Sequence, residues 1–107
     1  MKVYHGTRTE QGYAVVVEED GECRALDPRF DLRSHSPSGF AWGYGGSGSA
    51  QLSLALAADV LGDDDKARKV YQRLKFKLIG GLPHEGWTLT EGRVKAAIEQ
   101  QEPARLR

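Results

Sequence analysis

Between Ala50 and Leu61 the chain reads AQLSLALAADVL, in which only Gln51, Ser53 and Asp59 are polar. At 3.6 residues per turn its apolar side chains fall at nearly every angle, and a helix apolar all round has to be buried. In a chain of 107 residues there is room for one core, so this helix is expected to be the central element of a single domain. Ser47 or Ser49 is its expected N-cap and Gly62 its C-terminal stop.

Upstream the sequence favours strands. Val3 to Thr9 reads as extended, Gly12 marks a turn, and Tyr13 to Val17 is rich in strand formers. Asp20-Gly21, between Val17 and the run Cys23 to Leu26, predicts a hairpin, because a tight turn needs positive φ. Arg29 to Arg33 alternates Phe30 and Leu32 with charges and predicts a short further strand. Downstream the expectation is helical. Asp63, Asp64 and Asp65 open a second helix with an apolar stripe of Ala67, Val70, Tyr71, Leu74 and Leu78, and Gly80-Gly81 with Pro83 ends it. Thr88 and Glu91 have the spacing of a capping box, with Thr90 an alternative cap, for a last helix running to about Gln101 that turns Val94, Ala97 and Ile98 inward. The expected class is α+β: a small N-terminal antiparallel sheet over residues 1–33 packed on about three helices over 50–101, with a frayed tail at 102–107.

The segment from Ser34 to Ser49 joins the two halves. Five of the ten residues from Gly39 to Gly48 are glycine, interleaved with Phe40, Trp42 and Tyr44. Flexible linkers are usually poor in aromatics, so an ordered loop is expected. Two roles fit it. Glycines before a helix N-terminus let an anion approach unpaired N–H groups, which makes His35, Ser36, Phe40, Trp42, Tyr44, Gly45, Gly46, Ser47 and Gly48 the expected ligand or partner site. Alternatively the glycines let two backbones pack closely and the aromatics fill core. Of the two tryptophans, Trp87 is expected in the core and Trp42 at the ligand. Gly43 to Gly48 satisfies G-x-G-x-x-G, with Asp63 about 20 residues on, but a dinucleotide site needs strands before the loop and at the acid. No Lys follows Gly48, so it is no P-loop either.

Fifteen basic residues balance fifteen acidic ones, which argues against a protein that lives on nucleic-acid backbone or an acidic membrane surface. The balance hides a split: residues 1–62 carry five basic and eight acidic residues, and residues 63–107 ten and seven. Much of the excess base lies on the second helix, where Lys66, Lys69, Arg73 and Lys77 form a stripe that would grip phosphates or an acidic partner, or simply be a solvated face. A single cysteine, Cys23, forms no internal disulfide and suits the cytoplasm. The N-terminus has no apolar run like a signal peptide, and no stretch approaches the roughly 20 apolar residues of a membrane span. His5, His35, His84 and Cys23 lack metal-ligand spacing, so neither metal nor other cofactor is expected.

The long string HSPSGFAWGYGGSGSAQLSLALAADVLGDDDKARKVYQ, with GWTLT further on, resembles domain-of-unknown-function family 6166, whose members typically read HSPTGFEWGYGGSGPAQLALA. Here Ser38 replaces Thr, Ala41 an acid and Ser49 Pro. The resemblance implies a small cytoplasmic bacterial protein often carried by phages or plasmids, with no established activity to transfer. Tyr4-His5-Gly6-Thr7 is also similar to the first motif of ADP-ribosyltransferases, with Gly39-Phe40 like their second. That likeness implies His5 on a dinucleotide ribose with Tyr44 stacking on a ring, but the late-strand glutamate has no counterpart. With no nucleophile and base at recognisable spacing, the leading expectation is a non-enzymatic accessory protein. It would bind a protein partner or small anionic ligand through the Gly/aromatic loop, in an anti-defence role such as inhibition of a CRISPR effector. A small nucleotide-binding or transferase-like enzyme comes second, and nucleic-acid binding through the basic helix third.

Overall fold

The computed structural model of the chain describes residues 1–99; the expected frayed tail and the last two residues of the third helix lie outside that range. The architecture is α+β. Three strands, β1 (Lys2–Thr9), β2 (Gly12–Glu19) and β3 (Glu22–Ala25), are followed by helices α1 (Ser47–Leu61) and α2 (Asp64–Lys77). A 3-10 turn (Ile79–Gly81), a fourth strand β4 (Gly86–Thr90) and helix α3 (Glu91–Glu99) complete it. All neighbouring strands are antiparallel, in the order β3-β2-β1-β4.

The local signals explain most boundaries. Asp20 and Gly21 both have positive φ, 55° and 85°, the turn that matches strand twist in a two-residue hairpin. Gly62 ends α1 in the left-handed conformation, its N–H bonded to the Ala58 carbonyl. Asp63 caps α2 by accepting from Lys66 N. At its start α1 departs from expectation: it begins at Ser47, Gly46 is the N-cap, and no side chain caps it. Ser49 instead donates its hydroxyl to the Tyr44 carbonyl.

Two segments correct the sequence reading. Arg29 to Arg33 is no strand: Asp27 accepts from Arg29 N, Arg29 takes φ 59°, and Leu32 N closes a turn on the Arg29 carbonyl. The Arg29 guanidinium binds Asp31 and Asp64 together, so its charges serve ion pairs rather than a sheet face. Residues 86–90, where only the cap candidates Thr88 and Thr90 were expected, are a strand beside β1. Trp87 and Leu89 point inward and Thr88 and Thr90 outward, the period-2 alternation of a half-buried strand. Thr90, not Thr88, accepts from Arg93 N at the start of α3, while Glu91 accepts from Lys2 N.

Twelve of the fifteen residues of α1 are buried, as its apolar sequence requires. The inner sheet face supplies Tyr4, Val15, Val17, Trp87 and Leu89, and α2 and α3 supply Ala67, Leu74, Val94 and Ala97. Gly6 is buried on that face because the Trp87 ring lies across it: a Cβ there would sit 2.2 Å from Trp87 Cε2. Near the other end of α1, Asp59 accepts hydrogen bonds from Tyr4 Oη at 2.7 Å and Arg24 at 3.1 Å, with Lys2 Nζ 3.4 Å away, and so ties the helix to β1 and β3. Burial pushes the Asp59 pKa upward, but the Tyr4 and Arg24 bonds and the two cations outweigh it and hold the carboxyl below its ordinary value. Burial and the same carboxylate raise the pKa of the Tyr4 phenol.

The buried polar residues of α1 are all partnered. Ser53 donates to the Ser49 carbonyl at 2.9 Å. The fully buried Gln51 makes four bonds: Oε1 accepts from His35 N and Ser36 N, and Nε2 donates to the carbonyls of Pro28 and Arg33, at 2.7 to 3.1 Å. Replacing it by an apolar side chain strands these backbone groups. Gln51→Leu is expected to lower stability by about 2–4 kcal/mol, measured by urea denaturation; a change below about 0.5 kcal/mol would show that the loop finds other partners.

Candidate functional site

The Gly/aromatic segment is ordered by contacts on three sides. Gly43, at φ 85°, donates its N–H to the Ile79 carbonyl at 3.1 Å. Gly48 on α1 meets Ala41, where a Cβ on Gly48 would lie 2.6 Å from that of Ala41. Trp42 has no exposed surface. Its ring meets Tyr13 and Trp87 edge-on, with centroids 4.7 and 5.3 Å apart, and its N–H donates to the His84 carbonyl. The expectation of Trp42 as a ligand contact is therefore corrected: flanked by small residues, it anchors the loop to the core, and Trp42 and Trp87 share one aromatic cluster.

Between this loop and the β1–β2 turn lies a cavity of about 380 Å³. Gln11, Gly12 and Tyr13 form one wall; Ser36, Ser38, Phe40 and Tyr44 come from the loop; Ser47 and Gly48 open α1 at its base. Of the residues expected at a site, Ser36, Phe40, Tyr44, Ser47 and Gly48 are thus brought together. Tyr44 stands at the rim, 53% exposed. Gly45 and Gly46 adjoin the cavity without lining it, and a Cβ on Gly46 would strike the Tyr44 ring at 2.3 Å. The sequence reading missed Gln11, Gly12 and Tyr13. Nothing local in that hairpin points to a loop some twenty-five positions on; only the fold juxtaposes them.

The cavity has a consistent polarity. No lining side chain is a carboxylate, ammonium, guanidinium or imidazole; hydroxyls of Tyr13, Ser36, Ser38, Tyr44 and Ser47 come from residues on its walls. At its base is a helix N-terminus without a side-chain cap, where N–H groups and the aligned peptide dipoles favour negative charge. The site offers hydroxyl and backbone N–H donors at the positive end of a helix dipole, and no carboxylate, amine or imidazole.

The three histidines lie apart. His35 leaves the cavity and bonds Tyr71 Oη through Nε2 at 2.6 Å, while Gln72 donates to the same phenol oxygen. An unprotonated Nε2 accepts the Tyr71 proton, while the same oxygen accepts from Gln72. Burial, with Arg33 and Lys75 nearby, holds His35 below the ordinary histidine pKa. His84 Nδ1 faces Arg8 Nη1 at 2.9 Å; because arginine only donates, Nδ1 accepts, and Nε2 carries the proton towards Tyr13 Oη at 3.0 Å. His5, the residue of the transferase-like motif, stands on the outer sheet face between Thr88 Oγ1 and Glu18 Oε1, at 3.2 and 2.8 Å. The glycine of that motif, Gly6, faces inward to accommodate Trp87. On α2, Lys66, Lys69, Arg73 and Lys77 are all exposed. Among the described residues no group of three His, Cys, Asp or Glu could hold a metal ion, and no helix is long and apolar enough to cross a membrane.

A four-stranded antiparallel sheet packed on three helices, with an uncapped helix opening onto a hydroxyl-lined cavity, defines a small α+β protein. The sequence profile of a family of unknown function (DUF6166) matches residues 4–100, and the chain belongs to that family. No curated protein and no solved structure matches it.

A neutral His35 in the fold has a measurable consequence. The folded state binds the proton less readily than the unfolded chain, so this residue lowers stability as pH falls below about 6.5. Denaturation at pH 7.5 and 5.5 should show a larger loss for the native sequence than for His35→Gln. Equal losses would mean that the imidazole protonates without disturbing its bond to Tyr71.

Proposed function

We propose that the protein is a non-catalytic binding protein that takes a small anionic ligand, of phosphate or carboxylate type, in the cavity at the start of α1. The observation that carries this reading is the uncapped N-terminus of a buried helix at the base of a hydroxyl-lined cavity free of carboxylates. Backbone N–H groups would hold the anion, helped by Ser47 and Ser38, and Tyr44 at the rim would cover it. The absence of a carboxylate, amine or imidazole on the walls supports binding rather than acid–base chemistry. A cytoplasmic setting belongs to the same proposal and is supported by the exposed free thiol of Cys23.

Calorimetry with inorganic phosphate, sulfate and adenosine monophosphate tests the reading, with Ser47→Asp as the informative variant. A carboxylate in the first turn should stabilise α1 by about 0.3–1 kcal/mol while occupying or repelling the anion site. The expected result is a higher Tm together with loss of binding. No heat with any of the three anions, or unchanged affinity in Ser47→Asp, would contradict it.

A further inference from the structure

A second groove of about 340 Å³ runs between the C-terminal end of α1, α2 and α3. Its floor is aliphatic, formed by Leu61, Val70 and Ile98, and three cations stand around it: Lys66 and Arg73 from α2 and Lys95 from α3, against one acid, Glu99. Four cations elsewhere among the described residues are matched. Arg29 binds Asp31 and Asp64, Arg68 binds Asp65, and Lys2 and Arg24 share Asp59. At the groove, Lys95 pairs among the described residues with Glu91, at 3.8 Å. Lys66 and Arg73 make no ion pair among the described residues.

The partly exposed Leu61 and Val70 beside the unpaired Lys66 and Arg73 in one concavity call for a ligand with both characters. A nucleic-acid backbone would satisfy the charge and leave the floor wet; a neutral hydrocarbon would do the reverse. The volume lies at the lower end of the range for small-molecule sites. We propose that this groove binds a free amphiphilic monoanion, a carboxylate or phosphate head on a short hydrocarbon or aryl body. The head would lie between Lys66 and Arg73 and the body over Val70 and Ile98. The site is separate from the cavity at the start of α1, and either can fail without the other.

The test is titration of the full chain with decanoate below its micelle concentration, followed by amide NMR, beside decanol and decyltrimethylammonium. Decanoate should shift the amides of Val70 and Arg73, bind about tenfold or more tightly than decanol, and weaken with added salt. Lys66→Glu and Arg73→Glu alter exposed side chains and should keep the native circular dichroism while weakening decanoate about tenfold. Equal binding of decanol, unchanged affinity in both variants, or no binding of decanoate would overturn the proposal. So would binding to phosphatidylglycerol vesicles without binding of monomeric decanoate, which would assign the groove to a lipid surface.

Discussion

The Gln51 carboxamide lies in the first half of an almost wholly buried helix, and all four of its bonds reach a different stretch of chain. A buried amide without partners costs several kcal/mol, whereas one with every donor and acceptor filled fixes its surroundings. Here the surroundings are residues 28–36, a segment with no strand or helix of its own. Its backbone groups find in Gln51 the partners that a sheet would otherwise provide. The buried helix thereby determines the path of the loop, and the path of the loop sets one wall of the cavity.

The two ends of α1 are treated differently. Near its C-terminal end, Asp59 gathers Tyr4, Arg24 and Lys2 and locks the helix to the sheet. At its N-terminal end the last serine of the loop turns its hydroxyl back to Tyr44, leaving the helix start to Gly46 and without a side-chain cap. Trp42 then closes the core beneath the cavity by meeting Tyr13 and Trp87. One end is thus spent on stability, and the other keeps its polar groups facing a space between loop and hairpin. The glycines serve this arrangement as packing devices at Gly43 and Gly48, so close packing and an accessible helix terminus coexist in one segment.

Much of this was legible locally. Asp20-Gly21, Gly62 and Asp63 act through their own backbone, and each does what its residue type dictates. The all-round apolar pattern of α1 was equally direct. What failed depended on partners distant in sequence. The alternation Trp87, Thr88, Leu89, Thr90 is a strand because β1 is there to pair with it, and His5 and Thr88 are 83 positions apart. Arg29 to Arg33 has strand-like alternation, yet Asp64, far along the chain, captures the Arg29 guanidinium, while Asp27 turns the backbone locally. Trp42 looked like a surface aromatic because glycines surround it, and only the Tyr13 and Trp87 rings make it core. The anion-binding reading was visible as glycines before a helix, but the opposite wall, from Gln11 to Tyr13, was not.

If the loop and α1 are one unit, the amides that Gln51 accepts from cannot open separately from the core. Native-state hydrogen exchange at His35 N and Ser36 N measures this directly. The account predicts opening free energies for both amides equal to those of Leu54 and Leu56 in the middle of α1, falling with denaturant at the slope of global unfolding. Rapid exchange of His35 and Ser36, insensitive to denaturant while the α1 amides remain protected, would show that the loop moves independently and would contradict it.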